Sequence, residues 1–439
     1  MMIFFENIWW LLVLIGVMIM VHELGHFWAA RFFDVQVETF SFGFGPRLFG
    51  FRRGDTDFRF SLILFGGYVK MLGEQPGEPA DDPRSFLAKP RWQRLIIVFA
   101  GPAMNVVLAV ALLAGLYMVK YPKPPDAEPG AIGYVAPGSP AAEAGIRAGD
   151  RIVEIGGVEN PGWDDILLKE FASAKRPLHV TVERNGRRLE FTLTPILDER
   201  TGVGYAGWSE EQEIEIAGLI EGMAAERAGL KPGDILISVN GRPVRSARAI
   251  QEVIRESGGK PVEVIYSRNG ERGKVVLEPK MTKMEGEERY MIGVELRRRV
   301  TYTKLAFPEA LAESVRHNLR SATLIFRFVE GVIERRMSAK SLEGPIRIAQ
   351  LSGDAAREGA FAFIGLMAMV SLNLAVFNLL PIPILDGGVI LLLLVEMAMG
   401  RDLSLPVKEA VIKVGFVFLM IVVAFVLYND IQKVLPSGG

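Results

Sequence analysis

The 439-residue sequence contains no cysteine, only four histidines and no excess of either charge. Because cysteine is missing, the chain forms no disulfide and offers no thiolate to a metal, so a bound metal must be held by nitrogen or oxygen. Fifty Lys and Arg residues against 51 Asp and Glu residues give a formal net charge of −1. Binding to phosphates requires a basic face, so this balance argues against nucleic acid as the main partner.

Half of the residues are hydrophobic, and they concentrate in four blocks, 8–33, 95–119, 361–399 and 411–428. Each block can supply the roughly 20 apolar residues that cross a bilayer, so we predict four membrane spans. The first block has no basic region before it and no A-x-A-like cleavage site, and we interpret it as a retained span rather than a signal peptide. Helices buried in a large soluble core are the alternative.

The basic residues predict the orientation of the spans. Nine Lys and Arg residues lie between 34 and 94, whereas residues 1–10 contain none. The positive-inside rule then places segment 34–94 in the cytoplasm and both termini on the outer side of the membrane. The long stretch 121–355 is expected on the outer side as well.

This outer stretch contains an internal duplication. Residues 145–157 (GIRAGDRIVEIGG) and 229–241 (GLKPGDILISVNG) match at an offset of 84 residues, and the same offset relates the RNG sequence at 184–186 to that at 268–270. A constant offset over this length predicts two copies of one domain. Each copy has a helix of small residues, a turn, an alternating strand and a later hairpin with Asn-Gly at its turn. This pattern resembles a circularly permuted bacterial PDZ domain; an unspecified small β-domain is the alternative.

Two further segments have recognisable patterns. Between 308 and 335, apolar residues recur at spacings of three and four, which predicts an amphipathic helix that lies along the membrane surface or packs on the duplicated domains. Between 35 and 72, apolar side chains alternate around the sequence RRGD at 52–55, which predicts a β-hairpin. A free edge of this hairpin could hold an unwound substrate as an added strand. A simple cytoplasmic hairpin is the alternative.

The strongest chemical signal is the motif H-E-x-x-H at His22, Glu23 and His26, inside the first span. On a helix, residues i and i+4 share one face, so both imidazoles can bind one ion and the glutamate can deprotonate a metal-bound water. Two histidines and a glutamate inside an apolar span are costly without partners. A hydrogen-bonded polar cluster between helices is the alternative, but a metal satisfies all three groups more completely.

Catalytic zinc takes a third protein ligand and leaves one position open. The other two histidines lie in the outer region, so we expect a carboxylate from another span. Asp386 is the preferred candidate, because Pro381 and Pro383 interrupt the helix just before it and free backbone groups. Glu396 is the competitor, and it has no such context.

The first-span motif, together with N-x-x-P-x-P-x-L-D-G at 378–387, resembles the signature of the site-2 protease family (M50 type). The resemblance covers nearly the whole chain, and it implies an intramembrane zinc metalloendopeptidase with Zn²⁺ as its cofactor. It implies His22, His26 and Asp386 as the zinc ligands and Glu23 as the general base. It further assigns substrate-binding or site-supporting roles to Asn378, to Gly43 and Gly45 in a G-x-G motif, and to Asn105 in G-P-x-x-N. For Asn105, a hydrogen bond that only bridges two helices is the alternative. Val389 departs from the family, in which many members have a histidine that is not a ligand.

The resemblance also implies a place in the cell. We expect a multi-pass hydrolase of the inner membrane that acts in regulated intramembrane proteolysis during a stress response. Both termini and the PDZ domains would be periplasmic, with the active site toward the cytoplasmic side. The substrate would be a single-span membrane protein, such as an anti-sigma factor already trimmed by a first protease, and remnant signal peptides are a further class. The PDZ domains would bind peptide segments or exclude substrates that keep a bulky external domain.

Together these expectations define a multi-domain polytopic membrane protein, with an α-helical transmembrane core of four spans, a membrane-associated β-hairpin region and two α+β PDZ domains in tandem. The expected boundaries are 1–33 for the first span, 34–94 for the hairpin region, 95–120 for the second span, 121–212 and 213–305 for the PDZ domains, 306–355 for the amphipathic segment, 356–399 for the third span and 400–439 for the fourth span with the C-terminal tail.

Two other classes of function stay open. A membrane adapter could work through its PDZ pair with a vestigial metal site, although an adapter does not need Glu23 between the histidines. A zinc transporter usually needs a chain of ligands along a path, whereas this sequence offers one cluster.

Overall fold

The computed structural model describes residues 2–74, 81–123, 129–198, 202–284, 287–334 and 344–434. These residues divide into two compact units. The first unit comprises residues 1–121, 304–326 and 340–439, and the second comprises 122–303 and 327–339.

The helices and strands are numbered along the chain. The helices are α1 (Met2–Phe32), α2 (Arg91–Val119), α3 (Pro140–Glu143), α4 (Trp163–Ala172), α5 (Ala224–Arg227), α6 (Ala247–Glu256), α7 (Phe307–Ile333), α8 (Pro345–Glu358), α9 (Ala360–Asn378), α10 (Asp386–Met399) and α11 (Leu405–Val434). The strands are β1 (Val37–Arg53), β2 (Thr56–Met71), β3 (Tyr121–Lys123), β4 (Ile132–Val135), β5 (Arg151–Ile155), β6 (Val158–Glu159), β7 (Leu178–Arg184), β8 (Arg187–Leu193), β9 (Ile196–Leu197), β10 (Gly204–Tyr205), β11 (Trp208–Glu210), β12 (Ile214–Leu219), β13 (Ile235–Val239), β14 (Arg242–Pro243), β15 (Val262–Arg268), β16 (Glu271–Leu277), β17 (Lys280–Met284), β18 (Glu287–Met291), β19 (Val294–Arg298) and β20 (Thr301–Thr303).

Four helices among the described residues are long and apolar enough to cross a membrane, as the sequence predicts: Ile3–Phe32, Arg91–Val119, Ala360–Asn378 and Leu405–Gln432. Their outward faces stay apolar and exposed, with Val414 at 68% and Ile421 at 63% in α11. Faces of this kind match a lipid environment, in which apolar side chains need no protein cover. The chain is therefore a multi-pass membrane protein.

Two helices, α9 and α10, make up most of the predicted third span, 356–399, and the interruption expected at Pro381 and Pro383 separates them. Only α9 has the length to cross a bilayer, because the 14 residues of α10 extend about 21 Å at 1.5 Å per residue. Pro381 and Pro383 lie in the break between α9 and α10. Neither proline can donate a helical hydrogen bond, which explains why the helix stops.

The predicted amphipathic segment also contains two helices. The helix expected over 308–335 is α7, although residue 335 lies outside the described residues. The apolar spacing in the sequence predicts only the first of these helices; the second, α8, begins with Pro345 in its first turn. The carboxylate of Asp430 in α11 accepts hydrogen bonds from the backbone N–H groups of Gly344 and Ile346, at 2.9 and 3.0 Å. This buried carboxylate caps the start of α8, where backbone N–H groups lack partners in the helix itself.

Two glycines allow α1 to pack closely against α2 and against β1. A Cβ atom on Gly25 would be 2.2 Å from the carbonyl oxygen of Ala100, so the two backbones touch at this glycine. On the other side of α1, a Cβ atom on Gly16 would meet the ring of Phe42 in β1 at 2.9 Å. Glycine at both places lets a strand and a helix approach the same span.

The strands β1 and β2 form an antiparallel hairpin in which each strand bends and pairs twice. Phe40 is paired with Phe58 and also with Val69, so the start of β1 lies between two parts of β2. The end of β2, residues 67–71, pairs on one side with β1, and no described strand pairs with its other side. This stretch is called the edge stretch below.

The second unit contains two repeat domains with equivalent elements. In the first, β6-β5-β7-β8 form one sheet and β4 pairs with β11. In the second, β16-β15-β13-β12-β19 form one sheet and β14 pairs with β13. The cores use the same positions, 84 residues apart: Ile132 and Ile216, Ile152 and Leu236, Ile166 and Ile250, Val180 and Val264, Leu193 and Leu277.

An ion pair between a partly exposed arginine and a buried aspartate explains the most obvious landmarks of the duplication. Arg184 donates to both carboxylate oxygens of Asp150, at 2.6 and 2.7 Å, and to the carbonyl of Gly145 at 2.7 Å. Arg268 and Asp234 repeat this arrangement, with both hydrogen bonds at 2.7 Å. Two parallel bonds from one guanidinium fix both groups in orientation. The pair therefore ties the end of one strand to the turn after the small helix in each domain.

Candidate metal centre

The two histidines of H-E-x-x-H lie on one buried face of α1. His22 is 7% exposed and His26 is 9% exposed, and their Nε2 atoms are 3.2 Å apart. The 3.6-residue period of the helix produces this juxtaposition, since residues four apart lie one above the other. Both imidazoles offer the same nitrogen to the same small space.

Asp386 reaches these histidines from the start of α10. One carboxylate oxygen is 3.1 Å from Nε2 of His22, and the other is 3.6 Å from Nε2 of His26. Among the described residues, these three form the one group of at least three potential ligands whose donor atoms all lie within 4.8 Å of one another. Glu396, the competing carboxylate, is not part of it.

The loop before Asp386 is tightly folded. A Cβ atom on Gly387 would lie 2.2 Å from the carbonyl oxygen of Leu380, and one on Gly388 would lie 2.4 Å from that of Ile382. Only glycine allows the loop to fold back onto the first turn of α10 this closely. Ile384 has a φ of +87°, which is unusual for a β-branched residue. Such local strain persists only where the surrounding structure holds it, and it is common beside functional sites.

The separations of the three donors fit a zinc ion. Two ligands at 2.0–2.1 Å in a tetrahedron are roughly 3.3 Å apart. The two Nε2 atoms are 3.2 Å apart, and Asp386 has one oxygen 3.1 Å from that of His22 and its other oxygen 3.6 Å from that of His26. Two nitrogens and one carboxylate are also the ligand set of many catalytic zinc sites, which leave a fourth position open. The residues present therefore fit the metal.

The far sides of both imidazoles have partners that suit metal binding. Nδ1 of His26 lies 2.9 Å from the carbonyl oxygen of Ile97, to which it donates when Nε2 is the free nitrogen. Nδ2 of Asn105 lies 3.3 Å from Nδ1 of His22, and the amide oxygen of Asn105 is buried without a hydrogen-bond partner. Exchange of the two amide positions brings that oxygen to Nδ1–H of His22, which leaves Nε2 of His22 unprotonated and free to bind. Ser371 in turn donates to the backbone carbonyl of Asn105 at 2.9 Å.

Gly101 in α2 forms the wall behind the histidines. A Cβ atom there would lie 2.3 Å from Nε2 of His26 and 2.9 Å from Cε1 of His22. The sequence analysis assigned no role to this glycine or to the carbonyl of Ile97. The signal that could have found Gly101 is its place in the G-P-x-x-N motif, next to Pro102.

Glu23 points toward the edge stretch of β2. A Cβ atom on Gly67 would be 3.6 Å from Cγ of Glu23, and the carboxylate of Glu23 interacts with the backbone N–H of Val69. The edge stretch therefore passes beside the glutamate of H-E-x-x-H.

The remaining candidate residues lie at bends of the backbone. Gly43 and Gly45 are at the bend of β1, with φ values of +95° and +84°, which favour glycine. A Cβ atom on Gly43 would be 2.8 Å from the carbonyl oxygen of Ile63 in β2. Asn378 is half-buried and is the last residue of α9, at the beginning of the loop that leads to Asp386.

Glu396 belongs to a separate buried charge cluster. Its carboxylate is 1% exposed, lies 2.6 Å from Nζ of Lys408, and accepts from the backbone N–H of Leu403 at 2.9 Å. Arg94 lies 3.9 Å from its other oxygen. Nearby, burial tends to raise the pKa of Asp402, but hydrogen bonds from Arg91 and Arg94 outweigh it and hold that pKa below its usual value.

Known proteins match this chain over its whole length. The model of the peptidase family M50 matches residues 10–422. A Xylella fastidiosa (strain 9a5c) protein named "Putative zinc metalloprotease" is 32% identical, over 98% of this chain and 99% of that protein. The regulator of sigma-E protease RseP of Salmonella typhimurium (strain 14028s / SGSC 2262) is 29% identical, over 96% and 97%. A solved PDZ domain of an SdrC-like protein from Listeria monocytogenes covers 20% of this chain and 90% of its own, with 16% identity and a TM-score of 0.18.

A zinc-type donor set shared by a membrane-spanning helix and the start of α10, with relatives of this kind, defines a membrane-embedded zinc metalloprotease. The chain belongs to peptidase family M50, the site-2 protease family.

Proposed function

We propose that this protein is an intramembrane endopeptidase that cuts a transmembrane segment of a single-span membrane protein. The observation that carries the proposal is the cluster of buried His22 and His26 with half-buried Asp386. The two histidines and Glu23 lie on a helix long enough to cross the membrane, and Asp386 lies at the start of the short helix α10. Buried ionisable groups at this depth are costly unless they serve a function. A soluble metalloprotease would have no reason to place them in an apolar helix.

Each residue has a chemical task in this proposal. His22, His26 and Asp386 hold Zn²⁺, which when bound acts as a Lewis acid toward a peptide carbonyl and lowers the pKa of a water molecule. Glu23 accepts the proton of the attacking water and passes it to the nitrogen of the leaving amine. Asn105 and the carbonyl of Ile97 keep the two imidazoles in the orientation and tautomer that leave Nε2 free.

The substrate has to be unwound before attack, because the carbonyl groups of a helix are engaged in hydrogen bonds. We infer that the edge stretch of β2 holds the unwound segment as an added strand. Its position beside Glu23 supports this role. Gly43 and Gly45 shape the bend of the partner strand, and Asn378 at the end of α9 contacts the extended substrate.

The two repeat domains act in this proposal as tandem PDZ domains on the periplasmic side of the inner membrane. They bind peptide segments or exclude substrates with a bulky external domain. The orientation follows from the basic residues of segment 34–94, which keep that segment and the zinc site toward the cytoplasm. The relative named for regulation of sigma E supports an anti-sigma factor as the substrate class, after a first cleavage. Remnant signal peptides form a second class.

Cleavage of a model single-span substrate in detergent tests the proposal, with wild type compared with Glu23→Gln and zinc content measured on both. We expect Glu23→Gln to retain zinc and to lose cleavage by a factor of about 10² or more, because general-base catalysis is lost. Equal cleavage by both proteins, or no zinc in either, would refute the mechanism and favour the adapter.

A further inference from the structure

The first repeat domain contains a buried carboxylate for which the proteolytic mechanism has no use. Glu170 in α4 is 3% exposed. One of its oxygens accepts from the backbone N–H of Ala206 at 2.6 Å, and the other accepts from the indole N–H of Trp208 at 2.8 Å. Both donors belong to the loop Ala206-Gly207-Trp208 at the start of β11. The carboxylate therefore lies against this loop, held by one backbone N–H and one side-chain N–H.

The second repeat domain contains the same loop. The N–H of Ala141 donates to the carbonyl of Ala206, and its counterpart Ala225 donates to that of Ile292, both at 2.9 Å. Gly207 and Gly293 follow, with φ values of +96° and +84°. The loop of the second domain is thus Ile292-Gly293-Val294, at the start of β19. The two loops have the same backbone pattern and can be compared position by position.

The described part of the second domain has an aliphatic side chain where the first domain has Glu170. Glu170 is the eighth residue of α4, and the eighth residue of α6 is Ile254, at the 84-residue offset of the duplication. The donor Trp208 corresponds to Val294, because each pairs with the equivalent residue of the neighbouring strand, Val135 or Leu219. The second domain therefore has aliphatic residues, Ile254 and Val294, at the positions of both Glu170 and Trp208.

Packing alone does not require a carboxylate at this position. Ile254 is 5% exposed and belongs to the core of the second domain, so an aliphatic side chain fills the same place there. A buried carboxylate loses hydration, and apolar replacements of buried ionic groups are often neutral or stabilising. The acid in the first domain therefore needs a reason other than stability, and its two loop donors supply one.

We propose that Glu170 is an internal ligand that occupies the terminal-carboxylate position of the first repeat domain and closes this domain to chain-terminal peptides. The inference rests on the PDZ assignment made under the proposed function. Loops of successive backbone N–H groups capture the carboxylate at the end of a peptide. In the first domain, the carboxylate of Glu170 already fills that position, whereas Ile254 offers no acceptor in the second domain. The two repeats consequently differ in what they bind.

The test measures peptide binding to the full-length protein in detergent, in a Glu23→Gln background so that no peptide is cut. A short fluorescent peptide that ends in valine with a free carboxylate is titrated, and the same peptide with a terminal carboxamide is the control. Glu170→Ile installs the residue of the second domain, and we expect one additional carboxylate-dependent site per chain. The double variant Glu170→Ile, Trp208→Val recreates the complete pair of the second domain, so it covers the case in which the single variant fails to fold.

Ile254→Glu is the matched reciprocal variant, because it places the same acid at the equivalent position of the other domain. A gain of a site on Glu170→Ile or on the double variant supports the proposal. If the parent binds the free-carboxylate peptide and Ile254→Glu abolishes that binding, but neither Glu170 variant gains a site, the PDZ assignment stands and the internal ligand is refuted. If no protein in the set distinguishes the two peptides, both are refuted. If only the proteolytic mechanism proves wrong, the interpretation of these binding results does not change.

Discussion

Replacement of Gly101 by alanine should disable the zinc site although no proposed ligand is replaced. The new Cβ atom would lie 2.3 Å from Nε2 of His26, whereas ordinary contacts begin at 3.4 Å, so the ring or the helix must move by about 1 Å. The ring of His26 is held from behind by the carbonyl of Ile97 at 2.9 Å. Helix α2 cannot easily retreat, because α9 packs against it and Ser371 in α9 donates to the carbonyl of Asn105 at 2.9 Å.

A shift of this size is large on the scale of a catalytic site. Loss of the orientation of a metal-bound histidine costs about 10- to 100-fold in metal affinity, and a 1 Å misplacement costs about 10²-fold in rate. We therefore expect Gly101→Ala to release zinc to a chelator at a concentration about 10- to 100-fold lower than wild type, and to cleave a model substrate at least about 10²-fold more slowly. Zinc content after chelator titration and the cleavage rate are measured on the same preparation.

Gly115→Ala is the matched control, because Gly115 lies in the same helix and no heavy atom lies within 4 Å of its added Cβ. We expect this variant to retain wild-type zinc and cleavage, since alanine is favourable inside a helix. Wild-type zinc affinity in Gly101→Ala would refute the inference that this glycine is the wall of the site. Equal losses in both variants would refute it too, because they would reflect a general property of the helix.

Two further predictions concern the repeat domains. Burial raises the pKa of Glu170 to about 7, against hydrogen bonds from Ala206 and Trp208, so the folded domain binds a proton more tightly than the unfolded chain, whose glutamate titrates near 4.5. The contribution of Glu170 to stability is therefore complete below pH 4.5 and falls by about 3 kcal/mol as pH rises to 7. In thermal unfolding between pH 4.5 and 8, we expect wild-type stability to fall with pH more steeply than that of Glu170→Gln. Equal dependence on pH in the two proteins would contradict the raised pKa of Glu170. Arg184→Ala leaves Asp150 buried at 1% exposure without its partner, and we expect a loss of about 2 kcal/mol in urea unfolding, less than for a fully buried pair because Arg184 is 23% exposed. Arg176→Ala is the control, because it removes an exposed ion pair with Glu334, and we expect it to lower the free energy of unfolding by less than about 1 kcal/mol. Equal losses in the two variants would contradict the larger stabilisation expected from the pair of Arg184 with Asp150.

Features that depend on local sequence could be predicted before the structure. The four spans follow from the length of their apolar runs, and the pairing of His22 with His26 follows from the helical period. The duplication is visible because Asp150 and Arg184 must keep their spacing to form the ion pair that recurs at Asp234 and Arg268. In each case the physical constraint acts within one element or one repeat.

Features that depend on how elements pack could not be predicted in the same way. Pro381 and Pro383 predict a break in the third span, but the position of the Asp386 carboxylate at a helix start depends on how the loop folds over Gly387 and Gly388. The double pairing of β1 depends on its bend, and a strand pattern alone does not specify register. The contact of Gly101 with the histidines depends on the separation of two helices. Neither the hydrophobic period nor the composition of the sequence specifies the distance between these two helices.

The short helix α10 shows why both carboxylates in the third block matter. Asp386 at its first residue faces the histidines, while Glu396 three turns later accepts from Leu403 and lies 2.6 Å from Lys408. A helix of 14 residues is too short to be held by the bilayer alone, so its two ends need fixed partners. The loop of Gly387 and Gly388 fixes the first end and the Glu396 cluster fixes the other. The acid that competes with Asp386 as a ligand in the sequence is thus the group that anchors the helix from which Asp386 reaches the histidines.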